Sequence, residues 1–165
     1  MASDTTTQTD VSNRNALAPW QAGVVGGLLG SIAFGAIMMF VIPDPVLEVA
    51  IPNMYGIEAT PNDPAQGAGW VIHLSHGAVL GVAFAVVLTI GAVREWANTP
   101  LTTAIVGLVY GVVVWAILAV VVMPIWLDAV GFGGAPPLPN VAPLSLLGHA
   151  LYGVVLGIVY ALLER

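Results

Sequence analysis

Three histidines, His73, His76 and His149, stand in stretches otherwise built from aliphatic side chains and glycine. A neutral imidazole is a good axial ligand for haem iron and a common ligand of zinc and copper. Three chemistries fit their spacing. In the first, each imidazole donates from one ring nitrogen to a backbone carbonyl, to Ser75, to Tyr152 or to the other histidine, and nothing is bound. In the second, His73 and His149 hold one b-type haem between two helices, with glycine leaving room for the macrocycle. In the third, His73 and His76, three apart on one helix face, join His149 or an acid such as Glu58 around a Zn or Cu ion. Met38, Met39 and Met123 add thioethers that suit Cu(I) but also fill cores. The expectation is no cofactor, with haem b or a Zn or Cu ion as the alternative. Cysteine is absent, which removes disulfides, thiolate nucleophiles and cysteine metal sites.

The histidines sit in a repeated pattern. HLSHGAVLGVAFA from His73 lies over HALYGVVLGIVYA from His149 without a gap, so His73, Gly77 and Gly81 match His149, Gly153 and Gly157. Residues four apart share one helix face. Tyr152 replaces His76, which leaves His76 without a counterpart. A second match sets VGGLLGSIAFGAIMMFVIP from Val25 over VGLVYGVVVWAILAVVVMP from Val106, aligning Gly26 with Gly107, Gly30 with Gly111 and Pro43 with Pro124. The chain thus reads as two tandem helical hairpins, a first copy over 22–93 and a second over 101–163. Each copy crosses the membrane twice, so both keep the same orientation about an axis along the bilayer normal. That symmetry puts His73 and His149 at equal depth. It predicts contact between the second and fourth helices along their glycine stripes, with Gly26, Gly30, Gly107 and Gly111 packing into the same interior.

The elements that carry these faces are membrane helices. Of 165 residues, 58% are hydrophobic and only 7% charged, against about a quarter charged in ordinary soluble domains. Four charge-free runs, about 22–42, 69–93, 101–127 and 142–163, each reach the roughly 20 residues that span a bilayer core as helix. Continuous apolar runs of this length fit helices rather than the short alternating strands of a barrel. The fold class is therefore all-α, an integral membrane four-helix bundle over 19–165. The third helix is expected to close at Met123 and Pro124, and Thr99 or Thr102 to cap its start. Residues 1–18 are polar and aperiodic, the composition of a disordered tail. The loop after Pro43 is apolar enough at VLEVAIPNMYGI to lie on the membrane or fold back on the helix ends.

Trp20, Trp70, Trp96 and Trp126 fit interfacial belts, and Trp115 in mid-span fits packing. No span holds a charge to relay protons, no glycine loop has phosphate-binding form, and no nucleophile, histidine and acid share believable spacing. An enzyme is not expected. Nucleic acid is excluded as a partner by a net charge of -6 with three arginines and no lysine.

The run GHALYGVVLGIVYALL and its weaker copy SHGAVLGVAFAVVL resemble a family of small uncharacterised prokaryotic membrane proteins, including haloarchaeal members and the YagU-like group. The resemblance implies a four-helix membrane domain and brings no catalytic residues. The expected role is a non-enzymatic assembly or accessory component in the bilayer, self-associating or bound to a partner membrane subunit. A haem or metal protein using His73 and His149 is the alternative, and a small transporter or channel the third class.

Arg14, Arg94 and Arg165 all flank one side, so the positive-inside rule places both termini in the cytoplasm and both long Pro-rich loops outside the plasma membrane. A reporter that is active only in the cytoplasm should therefore work when fused after Arg165. Activity only from an exported reporter would reverse the orientation.

Overall fold

Proline and glycine set where each helix begins, breaks and packs. The structure, a computed structural model, describes residues 16–164, which are mostly helical with no strand among them. The expected tail over 1–18 falls almost wholly outside the described residues, as do Arg14 and Arg165. Helix α1 (Pro19–Phe40) starts on a proline, whose missing N–H costs nothing in a first turn. Its entry is tied across the bundle by the Leu17 N–H, which donates to the Leu163 carbonyl at 2.8 Å. After Pro43 and Pro45 the first loop folds into a π-helical turn (Val46–Ala50) and the short α2 (Ile51–Met54). Helix α3 (Gln66–Val87) is followed by the short α4 (Gly91–Trp96) and then α5 (Pro100–Val114). Thr99 caps α5 by accepting from the Thr102 N–H at 3.1 Å. A π-helical segment (Trp115–Val122) carries α5 on into α6 (Met123–Ala129), and α7 (Pro143–Leu163) ends the fold. Four helices are long and apolar enough to cross a membrane, Pro19–Phe40, Gln66–Val87, Pro100–Ala129 and Pro143–Leu163. The protein is a multi-pass membrane protein.

The third crossing does not close at Pro124. It runs on to Ala129 because the cost of the proline is met from outside the helix. Pro124 has no N–H for the Val120 carbonyl four residues back, and the Asn140 N–H of the second loop donates to that carbonyl at 3.0 Å. The widened π turn just before Met123 gives the proline ring its room. The first loop uses the same device. Pro52 leaves the Glu48 carbonyl free, and the Ala65 N–H, at the entrance to α3, donates to it at 3.0 Å. Asn53 then bridges the carbonyls of Val49 and Ala59, each at 2.9 Å. Leu47 and Pro52 are fully buried, so this loop folds back onto the helix ends.

Within each hairpin the helices meet backbone to backbone. A Cβ added at Gly27 would strike the Gly77 carbonyl, and one at Gly81 the Gly23 carbonyl, which locks α1 against α3. In the second hairpin, Gly107 and Gly153 face each other's carbonyls, Gly157 faces Thr103, and Gly111 faces the His149 carbonyl. The stripes of α3 and α7 therefore turn to their own hairpin partners and not to each other, which corrects the expected contact between the second and fourth helices. Gly26 and Gly30 lie on a different face of α1, against Leu156 and Tyr152 of α7. In the contacts Gly27, rather than Gly26, stands where Gly107 stands, one residue out of step with the alignment of the two stretches.

The bundle is thus closed along α1–α3, α1–α7 and α5–α7. Between α3 and α5 the ties are sparse: the Tyr110 hydroxyl donates to the Leu80 carbonyl at 2.8 Å, and its ring packs on Phe84 at 5.3 Å. Phe84, Leu156, Tyr160 and Ala22 fill the half of the bundle nearer the termini.

Gly27→Val should lower stability in detergent by about 1–3 kcal/mol, because the facing Gly77 carbonyl cannot move out of its own helix. Gly67, with open space around its Cβ position, is the control, and Gly67→Ala should leave the melting temperature unchanged or raised. Equal melting for both variants would contradict the packing.

Candidate functional site: a chamber between α3, α5 and α7

Where α3 and α5 fail to close, the half of the bundle nearer the Pro-rich loops contains a cavity of about 1150 Å³. Its walls come from the loop-facing ends of all four crossings, with Phe34, Leu80, Val114, Leu118, Met123 and Tyr152 among the lining side chains. The first and second loops roof it. The packed cluster around Phe84, Leu156 and Tyr160 lies beyond Leu80 and Tyr152 and gives it a floor. Most of the lining is apolar; its polar groups include the three histidines beside Ser31, Thr60, Asn140 and Ser145.

His73 is buried where α3 comes closest to α1. Gly77 sits on Ser31 and Gly27 without a side chain, so His73, one turn away, reaches the Ser31 carbonyl with Nε2 at 3.0 Å. His149 turns back along its own helix, with Nδ1 at 2.8 Å from the Ser145 carbonyl. Phe34 links the two, its ring centroid 5.4 Å from the His73 imidazole and 4.6 Å from that of His149. A Cβ at Gly148 would strike the Phe34 ring, so this glycine makes the space that the phenyl group occupies. A haem held by both imidazoles would have to displace Phe34.

His76 belongs to the roof. Its Nε2 bonds to the Tyr55 hydroxyl at the end of α2, and Tyr55 packs against Trp126 of α6 at 5.3 Å. Partial burial raises the Tyr55 phenol above its ordinary value, so it stays protonated across the neutral range. Among the described residues, no three His, Asp or Glu side chains stand close enough to hold a metal ion together. Ser75 and Tyr152, considered as histidine partners, bond elsewhere: Ser75 donates to the Val71 carbonyl at 2.7 Å, and Tyr152 to the Gly77 carbonyl at 3.0 Å. Met38 and Met123 line the chamber, whereas the Met39 sulfur accepts from the Gln66 side chain at 3.5 Å.

Sequence reasoning missed Phe34, the bond of Tyr152 across to α3, and the chamber itself. Gly148, immediately before His149, was the available signal for a large neighbour on that face. Trp115 Nε1 is buried with no partner among the described residues, and nothing in the surrounding structure accounts for it.

Residues 17–165 match DUF6789, a family of unknown function, and the chain belongs to that family. No curated protein matches the chain. No solved structure matches it either.

The Tyr152 hydroxyl is a direct polar tie between α7 and α3. Tyr152→Phe should cost about 1 kcal/mol in unfolding free energy, the net value of a buried neutral hydrogen bond. The Gly77 carbonyl keeps its place in the α3 ladder, so a larger loss is not expected. An unchanged unfolding curve would show that α7 and α3 are held without that bond.

Proposed function

We propose that this member of the DUF6789 family is a non-catalytic membrane protein that holds a lipophilic small molecule between α3, α5 and α7. The chamber carries the proposal. About 1150 Å³ is at or above the upper range of ordinary ligand sites, and an apolar wall with a few placed polar groups is their usual chemistry. A half-open gap of that size leaves its apolar walls without packing partners in a bundle whose other seams are packed to carbonyl contact. A bound lipophile supplies the missing contacts. The floor counts against a channel, since Phe84, Leu156 and Tyr160 fill the bundle beyond the chamber.

A passive assembly role calls for no such chamber, so the expected accessory component becomes a binding or presenting component. With both termini in the cytoplasm, the chamber would lie in the outer leaflet of the plasma membrane, roofed by the two external loops. Duplication of one hairpin supplies the plan: each copy closes on its own glycine seam, and α1 then docks on α7 through its second glycine face. The first copy's second helix and the second copy's first helix share no such seam, which leaves the site between them.

The test is occupancy. Protein purified gently from membranes should carry a near-stoichiometric lipophile in native mass spectrometry. Leu118→Trp, which places an indole in the chamber from a half-buried position, should remove it while the melting curve stays cooperative. Empty wild-type protein that also fails to saturate with any added lipophile would sink the proposal.

A further inference from the structure

The hydrogen bonds of His73 and His149, two of the three histidines that line the chamber, define what kind of head group they can receive. His73 presents Nε2 to the Ser31 carbonyl and His149 presents Nδ1 to the Ser145 carbonyl. A carbonyl oxygen only accepts, so each of these nitrogens carries the ring hydrogen. No carboxylate bonds either ring among the described residues. In the neutral ring the second nitrogen, Nδ1 of His73 and Nε2 of His149, is then a lone-pair acceptor. Neither has a partner among the described residues, and neither is sealed off, because Trp115 Nε1 is the only enclosed unpartnered side-chain nitrogen or oxygen among them. Both residues line the chamber.

Ser31, Thr60, Asn140 and Ser145 also line the chamber with neutral side chains that can donate or accept, while the tyrosines are engaged and the one charged side chain of the lining among the described residues is an acid. The Tyr152 hydroxyl is spent on the Gly77 carbonyl, and Tyr55 on His76. Asp44 is at the rim, and neither Lys nor Arg contributes to the lining. A carboxylate or phosphate head would meet lone pairs and a like charge with no cation to receive it. At the two imidazoles a ketone, ester or ether would set its own lone pairs against those of the rings.

We propose that the chamber selects a neutral lipophile whose head group donates a hydrogen bond, an alcohol or phenol on an apolar body, with His73 Nδ1 or His149 Nε2 as the acceptor. This rests on the chamber being a ligand site. The backbone carbonyls fix the tautomers, and Phe34 fixes the spacing of the two rings. For a lipophile with two redox forms, the hydroquinone binds ahead of the quinone.

The test compares ligands that differ only in the donor. Radiolabelled 4-dodecylphenol and its O-methyl ether are titrated into nanodiscs containing the protein, with empty nanodiscs subtracted for lipid partition. The phenol should bind about tenfold tighter, the value of one net hydrogen bond. 1-Hexadecanol should likewise exceed its methyl ether, and the tighter of the two hydroxyl compounds names the head group. Replacing both acceptors, His73→Phe with His149→Phe, should bring the phenol towards the affinity of its ether and leave the ether unchanged. Equal binding of each compound and its ether to the wild-type protein overturns the head-group selection but leaves the chamber as a lipophile site. No binding above empty nanodiscs by any of the four overturns the chamber reading and the selection with it.

Discussion

The structure depends on glycine Cα atoms lying against carbonyl oxygens of the neighbouring helix. In lipid no hydrophobic drive brings helices together, so close packing and weak Cα–H···O contacts must do it. Gly23 and Gly27 against Gly81 and Gly77 form one such seam, and Gly107 against Gly153 the other. Each seam brings two backbones so near that a single methyl group has nowhere to go. A helix has few faces to spend in this way, and α3 spends its glycine face on α1. Its opposite side, with Val79 and Leu80, has only larger side chains to offer α5, and there the bundle stays open.

That opening is where the histidines acquire their geometry. Close approach at Gly77 delivers His73 to the Ser31 carbonyl, and Gly148 admits Phe34 beside His149. The loops partly cover the chamber through a backbone exchange that proline makes possible. Pro52 and Pro124 each leave a carbonyl without its helical donor, and a loop amide, Ala65 or Asn140, fills the vacancy. Helix breakers in these positions therefore fasten the roof. Tyr55, bonded to His76 and packed on Trp126, joins the first loop to both sides of the opening.

Four spanning helices were legible in the sequence because charge-free runs of about 20 residues leave few alternatives. The glycine stripe after His73 was equally legible as a close-packing face, but a stripe does not name its partner. Chain connectivity decides that, and antiparallel neighbours in a hairpin meet first. The alignment of Gly26 with Gly107 followed identities, whereas the contacts follow Gly27, because α1 carries glycine on two faces and only one belongs to the hairpin seam. Pro124 read as a terminator since its unpaired carbonyl could not be assigned a donor 16 or so residues later in the chain. His73 and His149 were singled out, yet Phe34 beside them was not, since aromatic contact across hairpins leaves no periodic trace. The chamber is a place where packing fails, and hydrophobic pattern records only where it succeeds.

The central claim is that α3 and α5 stand apart around a ligand-sized space while both hairpins stay zipped. A crystal structure grown from a lipidic phase tests it most directly. The account predicts glycine seams as described and elongated non-protein density between Leu80 and Leu118, with its polar end at His73 and His149. Direct packing of Leu80 on Val114 and Leu118, with no space or density between the two helices, would contradict it.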